Sequence, residues 1–341
     1  MIYAILVLGG IGLTMGLFLA FASKKFEVEI DPNVEKIMDI LPGANCGACG
    51  YPGCAAYAEA VALEGANPTL CAPGGPQVVN DIAALMGGEG ADPSAIKQVA
   101  RVKCQGDNSK TTKVYNLDTE MKTCATATLY FGGDKSCWHG CLGYGDCVKV
   151  CPADAIEINA RGIAVINEEK CISCTKCVKE CPKNIIEMMP ENQKVTVLCN
   201  SKDKGAQARK SCTVACIACG MCVKACPVQV KDADGNITKA ITITNNLAKI
   251  DKDLCINCGL CSMKCPTNAI INEIKEVKKA EVIEEKCIGC TACARVCPVA
   301  CIEGAVKEKH KVDQEKCIGC GLCFDKCKFS AIKMNITDIR K

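Results

Sequence analysis

Six runs of closely spaced cysteines constrain this chain more than any other feature. Each run has three cysteines, a gap of three residues and a fourth cysteine. The runs begin at Cys137, Cys171, Cys216, Cys255, Cys287 and Cys317. Three thiols within one backbone turn are poorly placed for disulfides, which need particular Cα separations, and the total of 33 cysteines is odd. The pattern therefore indicates metal ligation in a reducing compartment.

Five of the six runs continue into Cys-Pro, and the sixth ends in Cys327-Lys328. They resemble the run of bacterial ferredoxins, in which the fourth cysteine ligates the other cluster of a two-cluster domain. The resemblance implies three such domains, each with two 4Fe–4S clusters. The crossed ligand sets that it implies are Cys137, Cys141, Cys147 and Cys181; Cys171, Cys174, Cys177 and Cys151; Cys216, Cys219, Cys222 and Cys265; Cys255, Cys258, Cys261 and Cys226; Cys287, Cys290, Cys293 and Cys327; and Cys317, Cys320, Cys323 and Cys297.

The first run departs from the ferredoxin spacing, since three and then five residues separate its first three cysteines instead of two and two. Zinc is the alternative to clusters, but zinc modules usually supply their ligands as separated pairs. A cluster with a thiolate on every iron has no open coordination site. We therefore expect these sites to transfer electrons and not to catalyse a reaction.

A separate group of cysteines lies near the N-terminus. Cys46, Cys49, Cys54 and Cys71 are spaced by two, four and sixteen residues in a glycine-rich setting. An alanine-rich helix over residues 55–63 and an amphipathic helix over 77–86 are expected around them. We predict a seventh 4Fe–4S site here.

Five cysteines lie outside these sets. Cys104, Cys124, Cys199 and Cys212 come just ahead of the first two ferredoxin-like domains and could hold an eighth cluster. The alternative is four buried free thiols, because free cysteine often behaves as a small core residue. Cys301 follows a Cys-Pro and is expected in the core.

Residues 2–22 form an uncharged apolar run, long enough for a helix that spans a membrane. Lys24 and Lys25 follow it, which predicts a single pass in the cell membrane with the cluster domains on the cytoplasmic side. The alternative is a cleaved signal peptide, since Ala20-Phe21-Ala22 resembles a cleavage site, but no basic segment precedes the run.

The predicted fold is α+β, with one N-terminal transmembrane helix, a small 4Fe–4S module and three bacterial-ferredoxin-like 2[4Fe–4S] domains. The predicted divisions are a transmembrane anchor at 1–24, a linker at 25–35, the small 4Fe–4S domain at 36–90, a connecting segment at 91–129, ferredoxin-like domain 1 at 130–190, a connecting segment at 191–212, domain 2 at 213–278 and domain 3 at 279–341.

The charge of the chain and the motifs that it lacks disfavour two further classes of function, nucleic-acid binding and nucleotide or flavin chemistry. The formal net charge is +3 with thiols counted as neutral, but filled cluster sites are anionic, so the loaded protein is expected to be acidic. This disfavours nucleic acid as a partner. The sequence has no glycine-rich dinucleotide motif ahead of a helix and no phosphate-binding loop. We therefore predict no nucleotide or flavin site on this chain.

Two histidines are weaker candidates. His139, beside the single tryptophan Trp138, is expected to lie near a cluster without ligating it, because its run has enough cysteines. His310 is expected in a solvated hairpin within the charged stretch Lys307–Lys316. That stretch, with Lys275, Lys278 and Lys279, could instead dock an acidic donor protein.

The order of these parts is similar to that in the B subunit of the Rnf complex, the ion-translocating ferredoxin:NAD+ oxidoreductase. The likeness is carried by the module from Asn45 to Pro73 and by the stretch from Cys104 to Cys226. It implies a membrane-bound subunit that accepts electrons from reduced ferredoxin at the distal clusters. Electrons would then leave from the Cys46–Cys71 cluster to the other membrane and NAD-reducing Rnf subunits, where Na+ or H+ is pumped.

Other functions share some of these features. A polyferredoxin subunit of a hydrogenase-linked or formate-linked membrane oxidoreductase would have the same domains, but would not require the N-terminal cysteine module on one anchor. A free-standing polyferredoxin that stores electrons would not need a membrane anchor. A zinc-array protein would be colourless, whereas clusters give a brown preparation.

Overall fold

A computed structural model describes residues 2–25, 31–88, 90, 96–117, 122–231, 237–274 and 276–338. The chain divides into two compact units, Met1–Ala95 and Ile96–Lys341. Short helices and two-stranded antiparallel sheets make up the described part, in agreement with the predicted α+β class. The remaining residues of the predicted anchor, linker, connecting segments and domains lie outside this description, and Lys275 is one of them.

The first unit is helical. Its helices are α1 (Ile2–Lys25), α2 (Pro32–Ile40), α3 (Cys54–Glu64) and α4 (Gly75–Met86), with a 3-10 turn at Pro68–Leu70. Asp31 caps α2 by accepting a hydrogen bond from the Asn33 amide at 2.7 Å. The core packs Ile37, Tyr57 and Ile82 together. The two helices predicted near 55–63 and 77–86 are confirmed.

Helix α1 does not support the predicted membrane span. The helix itself is present, with apolar side chains such as Leu13, Leu17 and Phe18 exposed. Within the described part of the chain, no helix is both long enough and apolar enough to cross a membrane.

The second unit repeats one ferredoxin-like plan three times. Domain 1 contains β1 (Gln98–Val102), α5 (Cys124–Leu129), α6 (Asp146–Lys149), β2 (Ile156–Ile158), β3 (Ala164–Ile166), α7 (Lys176–Glu180) and β4 (Ile186–Pro190). Domain 2 contains β5 (Val195–Val197), α8 (Gly205–Ser211), α9 (Met221–Ala225), β6 (Gln229–Lys231), β7 (Ile237–Lys239), β8 (Ile241–Thr244), β9 (Leu247–Ile250), α10 (Leu260–Met263) and β10 (Ile270–Asn272). Domain 3 contains β11 (Glu276–Val282), α11 (Ala292–Val296), β12 (Ile302–Glu303), β13 (Lys311–Val312), α12 (Leu322–Lys326) and β14 (Ile332–Asp338).

Each domain is closed by its first and last strands, which pair in antiparallel fashion. The pairs are β1 with β4, β5 with β10, and β11 with β14. Strands β1 and β5 fall in the stretches predicted as connecting segments, so those stretches also contribute to the domains. Strands β2 and β3 pair in antiparallel fashion as a hairpin around a turn near residue 160.

Domains 1 and 2 carry insertions that domain 3 lacks. A long segment separates β1 from the first cysteine run, and a shorter one separates β5 from the run at Cys216. The insertions touch each other: the Thr111 and Ser136 hydroxyls donate to the Ser211 carbonyl at 2.8 and 2.9 Å. The Thr213 amide donates to the Lys110 carbonyl at 3.0 Å. Four of the five cysteines outside the regular sets lie on these two insertions: Cys104, Cys124, Cys199 and Cys212.

A buried ion pair holds β1 in domain 1. Arg101 is 6% exposed and bonds both carboxylate oxygens of Glu168, at 2.6 and 3.0 Å, and also donates to the Gln193 carbonyl. Burial raises the pKa of Glu168, but Arg101 outweighs it, so this pKa is lower than usual. The stabilisation is therefore present above the ordinary glutamate pKa and is lost as the pH falls through the lower folded value.

Replacing Glu168 by glutamine is expected to destabilise domain 1 by about 3 kcal/mol, because it leaves the Arg101 charge buried without its partner. Anaerobic denaturant unfolding at neutral pH, followed by circular dichroism, measures the loss. The control is Glu191→Gln, which breaks an exposed pair with Lys97 at 3.9 Å and is expected to cost less than about 1 kcal/mol. Equal losses in the two variants would contradict the assignment.

Candidate metal centres

The backbone of each regular run curls around its middle cysteine. Ser173 and Thr175, which flank Cys174, have φ values of 61° and 60°. Gly259, directly after Cys258, has a φ of 76°, in the left-handed region that glycine adopts without strain. This curl brings the three cysteines of a run to one side of the loop.

In three runs the fourth cysteine accepts a hydrogen bond from a main-chain amide four residues later. Amides of this kind point at the sulfurs of Cys151, Cys297 and Cys327, each at 3.4 Å. A residue with positive φ precedes each donor, including Ser330 at 50°. The run that ends in Cys327-Lys328 thus makes the same turn as the runs with proline.

The structure brings the cysteines of five predicted ferredoxin sets together. The pKa of Cys323 is raised to about 12, first by burial and then by the nearby charges of Cys320, Cys317 and Cys297. Cys177 shows the same rise from burial and from the first, second and fourth cysteines of its set. Sets that share a cavity or raise one another's pKa are Cys171, Cys174, Cys177 and Cys151; Cys216, Cys219, Cys222 and Cys265; Cys255, Cys258, Cys261 and Cys226; Cys287, Cys290, Cys293 and Cys327; and Cys317, Cys320, Cys323 and Cys297.

The N-terminal cysteines also converge. Burial raises the pKa of Cys71, and charges at Cys54, Cys46 and Cys49 add to the effect. Asn45, in the left-handed region at φ 44°, accepts the Cys54 amide on its side chain at 2.8 Å. This bond closes the loop that carries Cys46 and Cys49 against the start of α3.

The sixth ferredoxin set differs from the sequence prediction at one position. Cys124, Cys141, Cys147 and Cys181 line one cavity, and Cys104, Cys137, Cys199 and Cys212 line another. The pKa of Cys137 is raised to about 12, first by burial and then by the nearby charges of Cys104, Cys199 and Cys212. Cys124 and Cys137 have therefore exchanged places relative to the predicted grouping. We call the group of Cys104, Cys137, Cys199 and Cys212 the bridging set, because both insertions supply its members.

Local contacts explain the exchange. Helix α5 begins at Cys124, and the Asp146 carboxylate accepts the Cys124 and Ala125 amides, each at 3.0 Å. Asp146 precedes Cys147, so this cap holds Cys124 beside the first run. Two sequence signals pointed to the same grouping: the irregular spacing of the first run, and the matching positions of Cys104 and Cys199, each two residues beyond a closing strand.

Hydrogen bonds link the bridging set to a cysteine set on either side. The Cys141 amide donates to Cys104 Sγ at 3.3 Å, and the Cys216 amide donates to Cys199 Sγ at 3.3 Å. Cys141 belongs to the Cys124 set, and Cys216 belongs to a set of domain 2. The bridging set thus lies between domains 1 and 2.

Further neighbours extend the series of sets. Burial and the charges of its own set raise the thiol pKa of Cys147. Cys177, which belongs to the other set of domain 1, raises it as well. Besides burial, the Cys222 charge raises the thiol pKa of Cys261 across domain 2. In the same way, the Cys320 charge of domain 3 raises the thiol pKa of Cys258. Six sets of the second unit are therefore linked in series, from the Cys171 set of domain 1 to the Cys317 set of domain 3.

The two histidines and Cys301 have distinct positions. His139 lies 3.4 Å from the Asp203 carboxylate and lines the bridging cavity, as expected for a residue near a cluster. The prediction of a solvated His310 is wrong: it is 1% exposed, packs on Gly304, and has Nδ1 4.0 Å from Cys287 Sγ. Cys301 is buried as expected, with its sulfur 3.4 Å from Cys297 Sγ.

These sites fit 4Fe–4S clusters in their chemistry. Each set gathers four thiols, the ligand number of such a cluster, and several of the sulfurs accept main-chain N–H bonds that stabilise thiolate charge. Within the described residues, no three side chains of His, Cys, Asp or Glu converge closely enough to hold a single metal ion.

Family models match the same regions. A model described as a 4Fe-4S dicluster domain matches residues 136–185, 215–269 and 286–331, and two further dicluster models match 170–231 and 248–304. An Fe–S cluster model matches residues 41–73. The fold and its cysteine sets define an iron–sulfur electron-transfer protein built from dicluster ferredoxin-like domains.

Curated relatives identify the family. The chain is 47% identical over 277 residues to the B subunit of the Na+-translocating ferredoxin:NAD+ oxidoreductase complex of Acetobacterium woodii, covering 81% of this chain and 79% of the relative. It is 42% identical to the corresponding subunit of the proton-translocating complex of Clostridium ljungdahlii, covering 74% and 85%, and 41% identical to that of the ion-translocating complex of Methanosarcina acetivorans, covering 63% and 80%. The chain belongs to this B-subunit family of the Rnf complex, as its sequence predicted, and is an electron-transfer subunit of an oxidoreductase.

Proposed function

We propose that this chain accepts electrons from reduced ferredoxin and relays them to the membrane and NAD-reducing subunits of an ion-translocating complex. The observation that carries the proposal is the series of adjoining cysteine sets that runs from domain 1 through domain 2 to the Cys317 set of domain 3. When bound, 4Fe–4S clusters supply one-electron transfer. The chain's own residues hold the clusters, shield them and donate hydrogen bonds to their sulfurs.

We propose eight clusters, one for each convergent set. Six sets keep the grouping that the sequence predicted, and two use the exchanged positions of Cys124 and Cys137. The two revised sets are Cys124, Cys141, Cys147 and Cys181, and Cys104, Cys137, Cys199 and Cys212.

The direction of flow is part of the proposal. Domain 3 lies at one end of the series, and domain 1 follows directly after the first unit in the chain. Electrons would enter at domain 3 and leave from the Cys46, Cys49, Cys54 and Cys71 set. Alanine at Cys46 is expected to block delivery to the membrane subunits while leaving ferredoxin oxidation by the isolated chain intact. Unimpaired delivery would contradict this exit.

The hairpin of domain 3 offers a docking surface for ferredoxin, as one interpretation of the sequence suggested. Lys307, Lys309 and Lys311 are exposed around the turn between β12 and β13. Lysines on an otherwise anionic loaded protein would steer an acidic donor to this end of the series.

Reversing these three charges to glutamate is expected to slow ferredoxin oxidation at low salt by at least about tenfold and to weaken its salt dependence. Stopped-flow mixing at several ionic strengths measures both. The matched control reverses Lys202, Lys204 and Lys210, which are exposed on domain 2. A hairpin variant with the rate and salt dependence of the parent would refute docking at this surface.

We propose further that α1 ties the chain to the cell membrane as a single pass, with the cluster domains on the cytoplasmic side. Support comes from the exposed apolar side chains Leu13, Leu17, Phe18 and Phe21 and from the translocating complexes named for the relatives. Recovery of the full chain in the soluble fraction of cells that contain the whole complex would contradict this placement.

A further inference from the structure

Lys135 places a positive charge in the interior of domain 1. The residue is 2% exposed, and its Nζ donates to the carbonyls of Gly106 and Gly162 at 3.3 and 3.2 Å. Both acceptors are neutral main-chain groups. They orient the ammonium group but do not cancel its charge.

Nearby carboxylates are engaged elsewhere. Asp134 bonds Lys113 at 2.8 Å and the Tyr144 hydroxyl at 2.9 Å, while Asp107 bonds Ser109 and lies 3.6 Å from Lys110. Across the described part of the chain, no carboxylate forms an ion pair with Lys135. A buried charge without a counter-ion is costly, unless something else of opposite charge lies close by.

The groups that lie close by are cysteines of two neighbouring sets. Gly106, which holds Lys135 through its carbonyl, donates its own amide to Cys104 Sγ at 3.3 Å. A Cβ added at Gly106 would lie 3.4 Å from Cys212 Sγ and 3.5 Å from Cys104 Sγ, and the Cys141 amide donates to the same Cys104 sulfur at 3.3 Å. Cys104 and Cys212 belong to the bridging set, and Cys141 belongs to the Cys124 set. The Lys135 ammonium group therefore lies close to cysteines of both sets.

We propose that Lys135 sets the reduction potentials of the two clusters held by the bridging set and the Cys124 set. The inference rests on the proposed cluster sites. Each site gains one electron on reduction and becomes more negative, so a buried cation beside it stabilises the reduced form. In the weakly polar interior this effect is larger than at the surface. Lys135 thereby keeps the junction between domains 1 and 2 reducible.

The test is a redox titration of the full-length, cluster-loaded protein, followed by electron paramagnetic resonance without ferredoxin. Lys135→Gln keeps a hydrogen-bond donor but removes the charge, and Lys135→Arg keeps the charge. In the glutamine variant, the reduced-to-oxidised ratio of these two clusters at a fixed potential is expected to fall roughly tenfold, the scale for losing one nearby charge. The arginine variant should stay within about twofold of the parent.

The control is Lys149→Gln, an exposed lysine between Cys147 and Cys151 whose charge is screened by solvent. Its titration should match that of the parent. Unchanged titration in an iron-replete Lys135→Gln variant would overturn the proposal. If that variant loses iron, Lys135→Met replaces it; iron loss in both neutral variants would overturn the proposal in favour of a structural role. Because no donor protein is present, the outcome does not depend on ferredoxin being the donor.

Discussion

Alanine substitutions at both Cys137 and Cys212 are expected to remove only one cluster, about four iron atoms per chain, because both thiols line the bridging cavity. Alanine at both Cys124 and Cys212 is expected to remove two clusters, about eight iron atoms, because Cys124 lies in a different cavity. The grouping inferred from the ferredoxin run predicts the reverse for both pairs. Iron and acid-labile sulfide analysis of anaerobic protein distinguishes the two groupings.

Cys301→Ala provides the matched control for these losses. Cys301 is 3% exposed, like the buried members of the sets, but belongs to none of the eight sets. It is expected to keep the iron content of the parent protein. Equal iron losses in the Cys137/Cys212 and Cys124/Cys212 double variants would contradict both groupings, and eight-iron loss in the first pair alone would restore the ferredoxin-run assignment.

Loss of the bridging cluster alone is expected to separate the clusters into a group that ferredoxin reduces quickly and a group that it reduces slowly. In Cys212→Ala, reduced ferredoxin should still reduce the clusters of domains 2 and 3 rapidly. The remaining clusters should reduce at least about tenfold more slowly, equivalent to about 1.4 kcal/mol of added barrier. The reason is that the bridging set is hydrogen-bonded to a cysteine set on each side, through Cys104 to the Cys141 amide and through Cys199 to the Cys216 amide.

Stopped-flow bleaching measures this division, since about four of the seven remaining clusters should fall in the fast phase. Cys301→Ala should bleach in the same phases as the parent. A Cys212→Ala protein that retains the other clusters and bleaches with the parent's kinetics would show that electrons cross between domains without the bridging cluster.

The cysteine runs predicted most of the fold, because their spacing reflects a geometry that repeats. Left-handed residues like those around Cys174 and Cys258 recur in the regular runs, and the same amide bond reaches the fourth cysteine in three runs, at Cys151, Cys297 and Cys327. Sequence could therefore supply five of the six ferredoxin sets. It could not supply the sixth, since the choice between Cys124 and Cys137 depends on the Asp146 cap of α5 and on the contact between two insertions.

His310 shows a second limit of the sequence. Its charged neighbours indicated a solvated hairpin, and those neighbours are indeed exposed. The ring turns inward because Gly304, with a φ of 146°, leaves no side chain in its place, and an added Cβ would lie 2.9 Å from the ring. A local charge pattern does not report which single side chain of a hairpin points into the core.

Mixing the iron-replete, full-length protein with reduced ferredoxin tests most directly whether this chain is a ferredoxin-fed series of clusters. Cluster absorbance is followed anaerobically at several salt concentrations. We predict fast, salt-sensitive bleaching by several electrons per chain. Absence of transfer in a protein with its full iron content would contradict this function and would mean that another protein supplies the electrons.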